Sequence, residues 1–321
     1  MNSTELYICR INAVIDFIEN HLDENLNIEE LSRVAQFSQF HFHRIFRAFM
    51  GEPLYAFITR LRVERAAALL PGSPAKITDI AFDLGFNDSA TFARAFKKHF
   101  GVPASRWKAD KNRKIHQASH ALPGYNELKL NTGNDEVECT TIEDQQMPST
   151  ELFYVRYRGP YAGDYRLFAR LHRQLMEALQ HAPIEWNQQS GFYVIYHDPL
   201  GITEDERLRI SYGVAGSGSR PDWADRAIGT ITGCAAEADG GDGGTVGTGR
   251  LTIAAGRYLF CRFALANHEY GRAWTTVYRD ILPQRGLQPA EGYCFEHYFT
   301  DCYDQATKKT AVSIAVPVKE L

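Results

Sequence analysis

The stretch SQFHFHRIFRAFMG, Ser38 to Gly51, decides the fold of the first third of the chain. Phe42, Ile45, Phe46 and Phe49 recur at i, i+3, i+4 and i+7, the apolar stripe of a helix laid against a core. Gln39, Phe40, His43, Arg44 and Arg47 fall off that stripe. Ser38 can cap the first turn and Gly51 can stop the helix, which keeps it short. The outer face then carries an aromatic ring, an imidazole and guanidinium groups without an acid, a set that suits base edges in a DNA major groove. Any amphipathic surface helix has a polar outside, so the flanking sequence has to decide between the two readings.

Ahead of this helix, Ile8, Ile11, Ile15, Ile18 and Leu22 keep helical spacing, which predicts a helix over 4–21. Asn27 and Glu30 form a capping-box variant that opens a second short helix, 28–35, followed by a turn at Gln36 and Phe37. Helix, tight turn, helix is the helix-turn-helix arrangement. Behind it, Gly51 and Pro53 hand over to a helix that runs to about Leu70, where Pro71-Gly72-Ser73-Pro74 breaks it. The pattern then repeats. Ile28, Leu31 and Phe37 return as Ile77, Ile80 and Phe86; Phe42, Arg44, Phe46, Gly51 and Pro53 return as Phe92, Arg94, Phe96, Gly101 and Pro103. The repeat keeps an exposed arginine as well as the buried rings, which packing alone does not require. In the second unit Asn87 or Asp88 is the cap, and Ser89, Ala90, Ala93, Arg94 and Lys97 form the outer face. That smaller face is expected to read bases less strictly and to lean on phosphates. A linking helix of about 17 residues is roughly 26 Å long, enough to hold two recognition helices near one DNA turn apart, ~34 Å. One chain could then read two half-sites as a monomer.

The rest of the chain has a different character. Residues 1–114 hold 16 Lys and Arg against 13 Asp and Glu, a balance of +3, while 115–321 hold 19 against 26, a balance of −7. A mildly basic front and an acidic back place any polyanion partner on the front. Residues 113–135 lose periodicity and carry Pro, Gly and Asn, which marks a linker between domains at 1–112 and 136–321. Beyond it, strand patterns at 151–157, 191–197 and 208–214 enclose a helical pattern at 161–181. A similar order follows: strand 256–264, helix 269–282, strands 292–300 and 310–318. The expected architecture is multidomain: an all-α domain with two helix-turn-helix units, then an α+β domain of two pseudo-symmetric strand-helix-strand halves forming a ligand cleft.

With 44% hydrophobic and 23% charged residues the composition is that of a globular protein, not a disordered or fibrous one. No basic leader with an apolar run and no stretch of 18 apolar residues is present, so a cytoplasmic protein without a membrane partner is expected. The six cysteines stand singly, without CxxC pairs or His clusters at zinc spacing, and are expected to be buried reduced thiols with no metal site. No cofactor motif is found; the glycine-rich piece 240–249 lacks the Lys-Ser/Thr ending of a phosphate loop.

The segments IEELSRVAQFSQFHFHRIFRAFMGEPLYAFITRLRVERAAALL and ITDIAFDLGFNDSATFARAFKKHFGVPASRW resemble the DNA-binding domain of the AraC/XylS family of transcription regulators, over roughly residues 5–112. The resemblance implies double-stranded DNA and RNA polymerase as partners. It places base-reading positions on Gln39, Phe40, His43 and Arg44, and on Ser89, Ala90, Ala93 and Arg94. Phe40 would touch a thymine methyl or cover a neighbouring helix; His43 would donate to a base or phosphate, or stay solvated. Arg44 and Arg94 would engage guanine or phosphate.

VRYRGPY, YVIYHDP, WTTVYRDILPQRGLQP, GYCFEHY and SIAVPV resemble the GyrI-like small-molecule-binding domain, and the pairing of the two domains resembles the Rob-type architecture. The second half departs from the pattern, with Ala266-Asn267-His268 where the first has Gly159-Pro160-Tyr161, and residues 240–249 read as an extra flexible loop. Thirteen of the 16 tyrosines follow residue 150, a bias toward rings that line a cleft and still hydrogen-bond. Period 2 puts Cys294, Glu296 and Tyr298 on one strand face. A carboxylate among such neighbours needs a partner, either an arginine or a ligand. The resemblance implies that Glu296 faces the cleft and attracts a small hydrophobic or cationic aromatic effector, with Tyr154, Tyr193, Tyr196, Tyr212, Trp223, Trp274 and Tyr298 as candidate walls. A ligand-responsive transcription regulator, not an enzyme, is the leading expectation. The alternatives are a hydrolase using Glu296 as general base, and a protein-interaction module without a ligand.

Overall fold

The computed structural model describes residues 3–71, 73–110, 137–161, 164–181, 184–187, 190–198, 202–217, 245–299 and 302–320. The chain divides into a helical N-terminal unit and a sheet-based C-terminal unit.

In the helical unit α1 (Ser3–Asn20), α2 (Ile28–Val34) and α3 (Gln39–Met50) form the first helix-turn-helix with its supporting helix. Helix α4 (Leu54–Leu69) links it to α5 (Ile77–Asp83), α6 (Ser89–Phe100) and α7 (Ala104–Ala109). The apolar stripe of α3 explains its seat: Phe42 and Phe46 are fully buried among Ile11, Ile15, Leu31, Leu54 and Phe57. Each such ring contributes about 1.5–3 kcal/mol by leaving water. Phe92 and Phe96 repeat this in α6, edge-on to Phe86 and Trp107 respectively. The turn between α2 and α3 needs a left-handed residue, supplied by Gln36 at φ 52° in the first unit and by Gly85 at φ 74° in the second. Arg10 donates to the Gln36 backbone carbonyl at 3.1 Å and so holds the less favourable of the two.

Two arginines of α4 tie the two helix-turn-helix repeats of the helical unit together. Arg60 is buried and donates to Glu52 at 2.8 Å and to Glu64 at 3.1 Å, while His99 of α6 approaches Glu64 at 3.4 Å. Arg62 donates to the carbonyls of Leu22 and Glu24 in the first unit and of Gly85 in the second, at 2.9, 2.6 and 2.8 Å. Burial lowers the Arg62 guanidinium pKa from its usual value, with Asp23 opposing.

In the sheet unit the strands are β1 (Cys139–Met147), β2 (Thr150–Arg158), β3 (Glu185–Trp186), β4 (Phe192–Tyr196), β5 (Arg209–Ser217), β6 (Thr245–Ile253) and β7 (Gly256–Leu265). They continue with β8 (Leu287–Pro289), β9 (Phe295–Tyr298), β10 (Tyr303–Asp304) and β11 (Lys309–Glu320). The order is β1-β7-β11-β9-β4-β5-β2-β6, with the short strands at its margins. The two halves meet at the antiparallel β4–β9 seam, where Val194 faces Glu296. Helices α8 (Tyr165–His181) and α9 (Tyr270–Thr276) supply the helical part of the halves.

Among the described residues two long strands, β1 and β6, and three short ones, β3, β8 and β10, are not legible in the sequence. β1 faces mostly solvent, so its polar sequence lacks an apolar alternation. β6 occupies Thr245–Ile253 and pairs with β2 along its whole length, so Thr245 to Gly249 are strand and not the expected flexible loop. The β1:β7 and β2:β6 ladders continue one another: Met147 faces Gly256, and Thr150 faces Ile253, with two residues between them on each side. The four strands therefore make one long ribbon bent at its middle, joining the outer edges of both halves.

Smaller corrections follow from local chemistry. The first helix of this unit starts at Tyr165, later than the expected 161, because Asp164 caps the backbone N–H of Arg166 and Leu167 at 3.0 and 3.1 Å. The helix expected over 269–282 passes after α9 into a wider π-turn at Val277–Ile281. Cys261 and Cys294 are buried as expected, but Cys9, Cys139 and Cys302 are partly exposed, and Cys234 lies outside the described residues. The expected linker at 113–135 also lies outside them.

Candidate DNA interface and ligand site

Each recognition helix is fixed at both ends. In α3 the Ser38 hydroxyl accepts from the His41 N–H at 3.4 Å and Gly51 closes the helix in the left-handed conformation at φ 70°. In α6 the Asp88 carboxylate accepts from the Thr91 N–H and hydroxyl, both at 2.7 Å, and Gly101 closes it at φ 72°. The Thr91 hydrogen bonds hold the Asp88 carboxyl below its usual range. Gln39, Arg44 and Arg47 on α3 are exposed, as are Ser89, Ala90, Ala93, Arg94 and Lys97 on α6. His43 is half-buried and lies against Tyr55 of α4 at 6.4 Å between ring centres. Phe40 lies in α3, but its side chain is outside the described ones. Arg94 donates to the Thr91 hydroxyl at 3.0 Å. Thr91 thus links the cap to the cation, a positioning role that residue type alone did not signal.

In the sheet unit the pairing register sorts the candidate residues. Glu296 of β9 is 1% exposed. One carboxylate oxygen, Oε2, accepts from the hydroxyls of Tyr196 at 2.8 Å and Tyr298 at 2.6 Å; Oε1 accepts from the Trp274 indole N–H at 2.7 Å. Tyr196 stands edge-on to Trp274 at 6.0 Å, and Tyr278 stacks on Trp274 at 6.0 Å. Burial pushes the Glu296 carboxyl above its usual range, and the three donors pull it back only in part. Burial and the Glu296 charge hold the Tyr196 and Tyr298 hydroxyls well above the ordinary phenol value, so both remain donors. Among the described residues no arginine or lysine forms an ion pair with Glu296.

Tyr212 shares the Glu296 face of the sheet but turns toward α8, bonding His172 at 3.1 Å and stacking on Phe192 at 5.7 Å. Tyr154 and Tyr193 lie on the opposite face. There Tyr154 stacks under Arg156 at 4.6 Å and Tyr193 packs beside His297 at 4.5 Å. Trp223 lies outside the described residues. The structure adds Tyr161, fully buried next to Tyr196 at 5.6 Å, and Tyr270, whose hydroxyl burial and Glu296 push up to about 12. The VRYRGPY segment contained Tyr161, but nothing in its spacing singled the ring out. Among the described residues no group of three or more metal-ligating side chains comes together, and no helix is long and apolar enough to cross a membrane.

Residues 140–319 match the family described as GyrI-like small molecule binding domain, and residues 31–110 match a helix-turn-helix domain family. The uncharacterized HTH-type transcriptional regulator YbfP of Bacillus subtilis (strain 168) is 36% identical over 98 residues, 30% of this chain and 33% of that protein. An uncharacterized HTH-type transcriptional regulator of Staphylococcus aureus (strain COL) is 31% identical over 121 residues, 38% of this chain and 16% of that one. The chain thus spans a third or less of these relatives. Among solved structures, the DNA-binding domain of AdpA in complex with a target DNA is 25% identical, over 31% of this chain and 90% of that one, at TM-score 0.30. The EcmrR C-terminal domain is 12% identical, over 56% of this chain and 98% of that one, at TM-score 0.40.

Proposed function

The chain belongs to the GyrI-like small molecule binding domain family, with an AraC-type helix-turn-helix domain ahead of it, and on that premise we propose a DNA-binding transcription regulator whose sheet unit senses a cationic aromatic effector. The observation that carries the effector class is Glu296: a buried carboxylate held by two phenols and an indole, all neutral donors. Neutral donors orient the charge without cancelling it, and a cation brought against it gains from the low local dielectric. Tyr196, Trp274 and Tyr278 offer ring faces and edges for the aromatic part of the same molecule. Tyr298 completes the clamp on the carboxylate. On the DNA side, Gln39, Phe40, His43, Arg44 and Arg47 form the stronger reader, and Ser89, Ala90, Ala93, Arg94 and Lys97 the weaker one. Helix α4, 16 residues and about 24 Å long, spaces them for two successive major-groove sites read by a monomer. RNA polymerase is the partner through which bound DNA would be read out, in the cytoplasm.

Melting of the full chain against aromatic quaternary ammonium compounds, with their neutral isosteres as controls, tests the effector class. Stabilisation by the cations alone, abolished in Glu296→Gln, is expected. Equal shifts from cations and isosteres would remove the role assigned to the carboxylate.

A further inference from the structure

Beside the Glu296 site stands a hydroxyl that its hydrogen bonds do not use. Tyr161 is 1% exposed, and among the described residues its phenol oxygen is buried without a hydrogen-bond partner. The backbone around it is fixed. Gly159 takes φ 140°, a conformation that favours glycine, and a Cβ there would meet the Tyr157 hydroxyl at 2.7 Å. The Gly159 N–H donates to the Leu208 carbonyl at 2.9 Å, the Tyr157 hydroxyl to the Pro160 carbonyl at 3.2 Å, and the Asp164 N–H to the Tyr161 carbonyl at 3.2 Å. The Tyr161 ring is thereby held beside that of Tyr196, 5.6 Å between centres. The neighbouring acids are committed elsewhere: Glu296 accepts from Tyr196, Tyr298 and Trp274, and Asp198 accepts from Arg209 at 2.8 Å. Burial first, then the charges of Asp198, Glu296 and Asp205, hold the Tyr161 hydroxyl well above the ordinary phenol value, so it keeps its proton. A buried donor left unpaired is costly, and native structures keep few of them.

We propose that Tyr161 is a specificity-determining residue of the effector site: its hydroxyl donates a hydrogen bond to the effector, which is an aromatic cation that also carries a carbonyl oxygen. This rests on the reading of Glu296 as the cation site. Tyr196 bridges the two groups, since its hydroxyl is on Glu296 and its ring lies beside Tyr161. An effector aligned with the Tyr196 ring then carries its cation and its acceptor at opposite ends of its own ring. The two side chains divide the recognition. The carboxylate selects charge, and the phenol, which has a proton to give and no partner for it, selects an acceptor over a hydrocarbon group of the same shape.

The test is calorimetric titration of the full chain with para-disubstituted benzenes that carry trimethylammonium or its neutral isostere tert-butyl at one end, and acetyl or isopropyl at the other. Wild type is expected to bind the acetyl compounds about tenfold more tightly than the isopropyl ones, whichever group stands at the far end. In Tyr161→Phe that preference should vanish, while the preference for trimethylammonium over tert-butyl stays. Equal affinity for acetyl and isopropyl compounds in wild type, or an acetyl preference that survives in Tyr161→Phe, overturns the proposal. Absence of the trimethylammonium preference, with the acetyl preference intact, overturns the Glu296 reading instead. Without any compound, Tyr161→Phe should melt at or above wild type, because it gives up no hydrogen bond. A fall of about 2–4 °C would show a hydroxyl already satisfied within the protein, and it too overturns the proposal.

Discussion

Removing the Arg60 guanidinium with Arg60→Ala tests what holds the two recognition helices in one body. Arg60 is 5% exposed and is the cation between Glu52, 9% exposed, and Glu64, 1% exposed. Its loss takes away the cation that both buried carboxylates share and leaves His99 at 3.4 Å from Glu64, so the cost is the desolvation of poorly compensated charge more than the loss of hydrogen bonds. Breaking a buried pair in this way costs about 3–5 kcal/mol. That is a large share of the roughly 5–15 kcal/mol that holds a domain folded. For a unit of this size each kcal/mol moves the midpoint by roughly 4–8 °C, so a fall of at least about 12 °C is expected. Hydrogen exchange on α4 peptides of the full chain reads this unit apart from the sheet unit. Neutralising the carboxylates together with the arginine, as Glu52→Gln/Arg60→Met/Glu64→Gln, should recover most of the loss, because a buried network replaced by neutral groups of like size is close to neutral in stability. A cost below about 1 kcal/mol for Arg60→Ala would refute the reasoning, as would a triple variant no more stable than the single one.

Arg44→Ala should weaken specific DNA binding by ~1–3 kcal/mol and relax preference at one position, read by competition against random duplex; equal losses on both duplexes would make Arg44 a phosphate contact. Lys97→Ala should weaken all duplexes alike and flatten the salt dependence. Glu296 has a folded pKa raised by burial from 4.5, so its protonated form favours folding. Stability from this group is present at low pH and falls as pH rises through the folded value. Wild type should therefore lose ground to Glu296→Gln between acid and neutral pH in melting curves, and a gap moving the other way would contradict the assignment. Gly249→Ala should destabilise the sheet unit, since a Cβ there overlaps the Tyr154 phenol, whereas Gly101→Ala, with open space around it, should cost only about 1–2 kcal/mol for its left-handed φ.

The helical unit was legible because each of its signals is local. A cap, a 3.6-residue stripe and a terminal glycine lie within fifteen residues of each other, and the repeat stated them twice. In the sheet unit the same reasoning found β2, β4, β5, β7, β9 and β11, whose buried faces alternate or run apolar. It missed the short β3, β8 and β10, and also β1 and β6, which pair across 87 to 124 residues of chain. Gly249 illustrates the failure. Read alone in a glycine-rich run it suggests flexibility, yet its missing side chain makes room for the Tyr154 ring. Tyr154 and Tyr193, expected among the walls of the Glu296 site, lie on the opposite face of the sheet for a related reason: period 2 sorts residues within a strand, and only the pairing register says which faces of different strands coincide.

That register also explains why the carboxylate stands where it does. Val194 faces Glu296 across the seam, Tyr196 lies two residues beyond Val194 along β4, and Tyr298 lies two residues beyond Glu296 along β9. In an antiparallel pair these two tyrosines reach out in opposite directions from the central pair, as mates of a pseudo-two-fold axis through it. Both nevertheless converge on one oxygen, Oε2 of Glu296. The two strands of the seam supply a matched pair of donors; glutamate on β9, where the facing position of β4 holds Val194, supplies the charge they hold. Trp274 then breaks the symmetry, because it binds the remaining oxygen from the second half alone. The carboxylate is thereby held by both halves of the sheet, so a cation bound to it would act on the seam itself. Of the places on this sheet from which a ligand could shift one half against the other, that seam is where both halves share a partner.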